Sequence, residues 1–209
     1  MKKKLVFILG ILLVLGAFGF SVTSLIIKRS QLTYYIPDTP EAKEVMKTIE
    51  KAYDIQAEAA YTFDLTKFPI VFINDPRFPV SRGTLKTIRE LTNNPSLESA
   101  GWLDYKLAYY SWIRDAILHS EAVREKAKLE NRGLTTEEIQ SLIDPQGRTA
   151  PARAEDPIRQ QQLKFMSVSI NGDIAKVILN DGPTTIELTL VSVDKQWYIA
   201  GLKGIAFHP

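Results

Sequence analysis

Residues 165–205 read FMSVSINGDIAKVILNDGPTTIELTLVSVDKQWYIAGLKGI, and this stretch decides the fold. Phe165–Ile170 is rich in apolar and β-compatible residues and stops at Asn171-Gly172, a pair that tolerates the positive φ of a tight hairpin turn. Ile174–Leu179 follows, apolar on both faces except at Lys176, then a second turn at Asn180-Asp181-Gly182-Pro183. Thr184–Val193 alternates, with Ile186, Leu188 and Leu190 on one face and Thr185, Glu187 and Thr189 on the other. Asp194-Lys195-Gln196 turns the chain again into Trp197–Leu202. Short loops between successive strands imply an antiparallel meander, which needs no crossover helices.

Everything upstream must then supply the helices that cover this sheet. Asp38-Thr39-Pro40-Glu41 is a helix start, with Thr39 as cap, Pro40 in the first turn and Glu41 at the positive end of the dipole. The helix runs to about Tyr61, with Val45, Ile49, Ala52, Tyr53 and Ala60 near one face. Phe68–Ile73 reads as a short buried strand ended by Asn74-Asp75-Pro76, and Thr84–Thr92 as a short helix broken at Asn93-Asn94-Pro95. Ser99–Asn131 is a long helix with two apolar sides. Leu103, Leu107, Tyr110 and Ile117 form one, and Tyr105, Tyr109, Trp112 and His119 lie almost opposite, the pattern of a helix held between layers. Thr135-x-x-Glu138 is a capping box opening a shorter helix to about Ile143. Residues 144–161 carry three prolines and no apolar rhythm, and form a long loop that either covers a pocket or stands free.

At the N-terminus three lysines precede Leu5–Ile27, which contains no charge. As a helix it would reach roughly 34 Å, enough to cross a hydrocarbon core of about 30 Å. The stretch is long for a signal peptide and lacks a good cleavage site. The expected organisation is a cytoplasmic residue 1–4 tail, a transmembrane anchor over 5–27, a connector over 28–39 and one extracytoplasmic α+β domain over 40–209 with a helical insertion at about 64–161. The chain would thus be a single-pass protein of the cell membrane with its N-terminus inside. Its partners would be the bilayer, through residues 5–27, and a protein partner or a second copy.

Composition narrows the chemistry. The chain of 209 residues has no cysteine and two histidines, so neither a disulfide framework nor a transition-metal site is expected, and no cofactor is implied. The net charge of +2 comes from the N-terminus. Setting aside the five basic residues before position 30 leaves 21 basic against 24 acidic, a poor match for nucleic acid. Gly-rich phosphate loops, dinucleotide fingerprints and nucleophile elbows are missing.

Candidate site residues are few. Asn74, Asp75 and Arg77 form the most function-like polar cluster; the alternative is an Asx turn with Arg77 paired to a nearby acid. Tyr105, Tyr109 and Trp112 are either core or a ligand or partner surface. Asp75, His119 and Glu187 are the candidates for proton transfer, Glu187 only if it lies inside a concave sheet, where burial would raise its pKa. His208 is one residue from the end.

Helices followed by a meander whose last turn and strand read Asp194-Lys-Gln-Trp-Tyr-Ile-Ala-Gly-Leu resemble the nuclear-transport-factor-like superfamily over about Gln162–Ile205, together with the helix Glu41–Tyr61. The resemblance implies a cone-like curved sheet wrapped around helices, with a pocket at its wide end. It is compatible with isomerase- and cyclase-type enzymes that use a pocket acid, with binding modules, and with assembly proteins of envelope or secretion complexes. The expectation drawn here is a noncatalytic domain binding a partner protein or small apolar ligand, with an isomerase or cyclase and an assembly component as alternatives.

Overall fold

The structure is a computed structural model and describes residues 35–143, Thr149, Arg153 and residues 163–205. Helix α1 (Pro40–Thr62) begins where Thr39 accepts a hydrogen bond from the Ala42 amide at 3.2 Å. Its buried face is Ala42, Val45, Ile49, Ala52, Ile55 and Ala59, so Ala59 rather than Ala60 meets the sheet. Three alanines on that face let the helix approach closely. Then come a 3-10 turn (Phe68–Ile70), α2 (Arg82–Leu91, capped by Ser81), α3 (Trp102–Leu129) and α4 (Thr136–Ser141).

Four strands close the fold: β1 (Leu163–Asn171), β2 (Ile174–Asp181), β3 (Thr184–Val193) and β4 (Gln196–Ile205), antiparallel in the order β1-β2-β3-β4. The turns have two residues each. Gly172-Asp173 forms the first, one residue later than the Asn171-Gly172 reading, because only Gly172 takes a positive φ (61°). Gly182 (59°) starts the second, and Asp194 (51°) and Lys195 (67°) both enter the left-handed region in the third. Positive φ at both central residues matches the twist of the flanking strands.

Two bulges adjust the faces. One interrupts the β1–β2 register between Phe165 and Ser167 and lets Phe165 and Val168 both pack on the core, which strict alternation would forbid. The other lies between Thr189 and Leu190 in the β3–β4 pairing and leaves Ala200 as the extra residue of β4. Trp197 is buried at 5% exposure in the core that joins α1, the 3-10 turn, the start of α3 and the inner sheet face.

The strand expected at Phe68–Ile73 is corrected to a 3-10 turn followed by a single parallel bridge, Phe72 to Ile199. Pro69 has no N–H, and the donors of Phe68, Ile70 and Val71 are used within the turn. Only Ile73 donates to Ile199 (3.1 Å), and Ile199 donates to Val71 (2.8 Å), which covers the outer edge of β4.

The expected membrane-spanning element is also corrected: among the described residues no helix is long and apolar enough to cross a membrane. Helix α3, at 28 residues, has the length but carries Asp104, Lys106, Arg114 and Asp115 in its first half, and such charges are costly in hydrocarbon. Leu5–Ile27, where the span was placed, lies outside the described residues. The architecture described is therefore α+β, helices then a four-stranded sheet, and the single-pass and signal-anchor descriptions receive no support from it.

Helix α3 is held between two layers. Leu103, Leu107 and Tyr110 pack against the main core, while Ala108 joins Ile88 of α2 and Ala100 in a second cluster that Tyr105 also touches. The helix ends at Leu129, two residues short of the Asn131 expected, and Asn131 (φ 51°) turns the chain in the left-handed region just beyond it. The capping box at α4 forms in both directions, Thr135 accepting from the Glu138 amide (3.2 Å) and Glu138 from the Thr135 amide (2.9 Å). Arg153 reaches Glu121 at 3.5 Å and lies over the Phe63 ring at 4.6 Å; the loop expected over 144–161 otherwise lies outside the described residues, Thr149 excepted.

Candidate functional site

The polar cluster picked out in the sequence is a closed structural unit. Asp75, 9% exposed, accepts from the Arg77 amide at 2.8 Å, an Asx turn, and takes Nε and Nη2 of Arg77 at 3.0 and 2.8 Å. Nη1 of the same guanidinium donates to Asp173 in the β1–β2 turn at 2.7 Å. The Arg77 hydrogen bonds hold the Asp75 carboxyl below the usual carboxylate range, and the two carboxylates push the Arg77 pKa up. The pair of bidentate and single contacts pins the loop after the 3-10 turn to the sheet, and it leaves no oxygen of Asp75 for a substrate.

Asn74 serves a different element. Helix α3 starts at Gly101, which has no side chain to cap it. Asn74 fills that role from 27 residues upstream: its Oδ1 accepts from the Asp104 amide at 3.1 Å and its Nδ2 donates to the Asp104 carboxylate at 2.8 Å. Asp104 in turn accepts from the Gly101 amide at 3.0 Å. A Cβ at position 101 would collide with the Asn74 side chain, so glycine is required there.

The proton-transfer candidates do not converge. Glu187 lies on the sheet face opposite Ile186 and Leu188, 3.9 Å from Lys176 on the neighbouring strand. His119 is exposed, with Nε2 3.1 Å from the Ser141 hydroxyl. Asp75 is held as above. Along α3 the aromatic rings run in series: Trp102 to Tyr105 at 5.0 Å, Tyr105 to Tyr109 at 5.9 Å and Tyr109 to Trp112 at 6.0 Å. Tyr105 belongs to the packed interior, and Tyr109 and Trp112 are half-buried.

The arrangement with the most chemistry was not singled out in the sequence. Lys106, on the core side of α3, is only partly exposed and points its ammonium between two aromatic faces, 5.4 Å from the Phe72 centroid and 5.3 Å from that of Trp102. Nζ donates a short hydrogen bond to Gln56 Oε1 of α1, and Gln56 Nε2 donates to the Ala52 carbonyl at 3.2 Å, which sets the amide. Burial pushes the Lys106 pKa down to about 8, with the Asp181 carboxylate acting in the opposite direction. Asp181 ends β2, and its Oδ2 accepts from the Tyr53 hydroxyl at 2.8 Å. Its Oδ1 is buried without a hydrogen-bond partner, as is the indole Nε1 of Trp102, a residue 8% exposed. Nearby, burial pushes the Tyr110 phenol up, with Tyr109 and Tyr105 adding to it, so it stays protonated.

Lys106 carries three N–H donors and spends one on Gln56. The cluster therefore offers spare donors, on Lys106 and Trp102, and one spare acceptor, on Asp181. The residues signal this only faintly. Lys106 sits four positions after Trp102, three after Leu103 and four before Tyr110, a lysine on an otherwise apolar seam. Among the described residues no group of three or more His, Cys, Asp or Glu could hold a metal ion. Comparisons with protein-family models, with curated proteins and with solved structures found no significant match to this chain.

Proposed function

We propose that this domain is a noncatalytic binding module whose small ligand occupies the Lys106 cluster. The observation that carries the reading is the coincidence of a caged ammonium with a buried unpaired donor on Trp102 and a buried unpaired acceptor on Asp181. Buried polar groups in folded proteins nearly always have partners, and two orphans around one lysine are where a ligand with complementary groups gains most. Phe72 and Trp102 supply the apolar walls. The resemblance to the nuclear-transport-factor-like superfamily supports the same reading, since it implies a pocket between helices and the curved sheet. An isomerase or cyclase working through Asp75, His119 or Glu187 has less support, because these groups stand apart and each has its own partner.

The test is a thermal-shift screen of small polar ligands against the full chain and its Lys106→Met variant. A ligand at 100 times its Kd stabilises by about 2.7 kcal/mol. Ligands that raise the midpoint of the native chain and fail to raise that of Lys106→Met are the expected result. Hits whose stabilisation survives the substitution would place the binding site elsewhere.

A further inference from the structure

We propose that Lys106 captures neutral carbonyl compounds covalently and reversibly, as an imine on Nζ. This deepens the binding reading and rests on it. The placement of groups argues for a carbonyl. The indole of Trp102, whose ring flanks the ammonium, holds a buried donor without a partner, which suits an acceptor oxygen. Asp181 already supplies one negative charge to the cluster, so a neutral oxygen fits better than a carboxylate. Its free Oδ1 would take a donor on the ligand, a hydroxyl or N–H beside the carbonyl.

The nitrogen is also set up to react. Among the described residues the ammonium forms no ion pair: its one hydrogen bond goes to an amide oxygen, and two ring faces flank it. Burial of the nitrogen away from water, rather than the rings, disfavours the charged form and leaves a share of free amine, the way a desolvated lysine becomes a nucleophile. The titratable groups around it are Asp181 from β2, Tyr53 from α1 and Tyr110 from α3. The reaction needs no co-reactant. The amine lone pair adds to the carbonyl carbon, and the proton shed by nitrogen ends on the former carbonyl oxygen. That hydroxyl then leaves as water, with a proton from solvent, and a protonated imine remains. Water reverses each step.

The experiment uses the full chain with propanal and sodium cyanoborohydride at pH 7.5, followed by peptide mapping, beside an NMR titration with propionamide, which has the carbonyl but cannot form the imine. Against an ordinary lysine, Lys106 carries a far larger share of free amine, so its reductive labelling should run at least about tenfold faster than that of the exposed Lys86 and Lys176. Propionamide should move the Trp102 indole proton downfield, assigned by its loss in Trp102→Phe. Labelling of Lys106 no faster than of Lys86, with the Trp102 shift present, overturns covalent capture and leaves the binding reading standing. Absence of both overturns the two together.

Discussion

Two polar clusters of the domain follow opposite rules. The first, Asp75-Arg77-Asp173, sits at the surface, and its groups are paired with geometry that closes it. The second, Lys106 with Gln56, Tyr53, Asp181 and Trp102, is turned inward and leaves a donor and an acceptor open. The first looks functional in a sequence because Asn, Asp and Arg are crowded together. The second is barely legible there because its members are scattered over 129 positions. Crowding of charge in sequence marks a self-satisfied turn here, while the groups left unsatisfied are those the fold brings together from afar.

Phe72 stands between the two, three residues before Asp75 and under the Lys106 ammonium. It is 2% exposed and packs edge-on against Phe68 at 5.5 Å. Phe72→Ala should cost about 3–5 kcal/mol, measured by denaturant unfolding, and should damage both clusters. A cost under 1 kcal/mol would mean the two regions are not tied through this ring.

Cutting the closed cluster should cost less. Asp75→Ala removes the acceptor of one amide and of the guanidinium, and about 1–3 kcal/mol is expected. The sign with pH follows from its lowered pKa. The stabilisation is full above the unfolded value near 3.9 and fades as pH falls through the folded one. Glu138, held down to about 2 by Arg132, should add to the same acid loss between about 4.5 and 2. An acid transition left unchanged by Asp75→Ala would remove this assignment.

Asn74→Ala takes the cap from α3 and should cost about 1 kcal/mol, with Gly101→Ala destabilising through the same contact. If Asn74→Ala is neutral while Gly101→Ala is not, the cap contributes nothing and only the close approach matters.

The smallest effect sharpens the comparison most. Lys106→Met fills similar volume with an apolar group, so stability at neutral pH should stay within about 1 kcal/mol or rise. Because the folded pKa, about 8, lies below the unfolded one, near 10.4, the native chain should gain stability as pH rises between those values. Lys106→Met should flatten that slope. A large loss on substitution would show Lys106 to be as structural as Arg77.

By itself the sequence determined the four strands, their antiparallel order, the helix starts at Thr39 and Thr135, and the two-sided nature of α3. These depend on period, turn residues and caps, all of which act within a few positions. The same locality explains the misreading at Phe68–Ile73: five apolar residues look alike as strand or turn until Pro69 and the partner Ile199 decide between them. Only the tertiary structure decided which polar groups are satisfied. Lys106 meets Gln56 across 50 positions and Tyr53 meets Asp181 across 128. Desolvation and hydrogen-bond partners are properties of the packed interior, where a charge has no water to fall back on, and no local pattern encodes them.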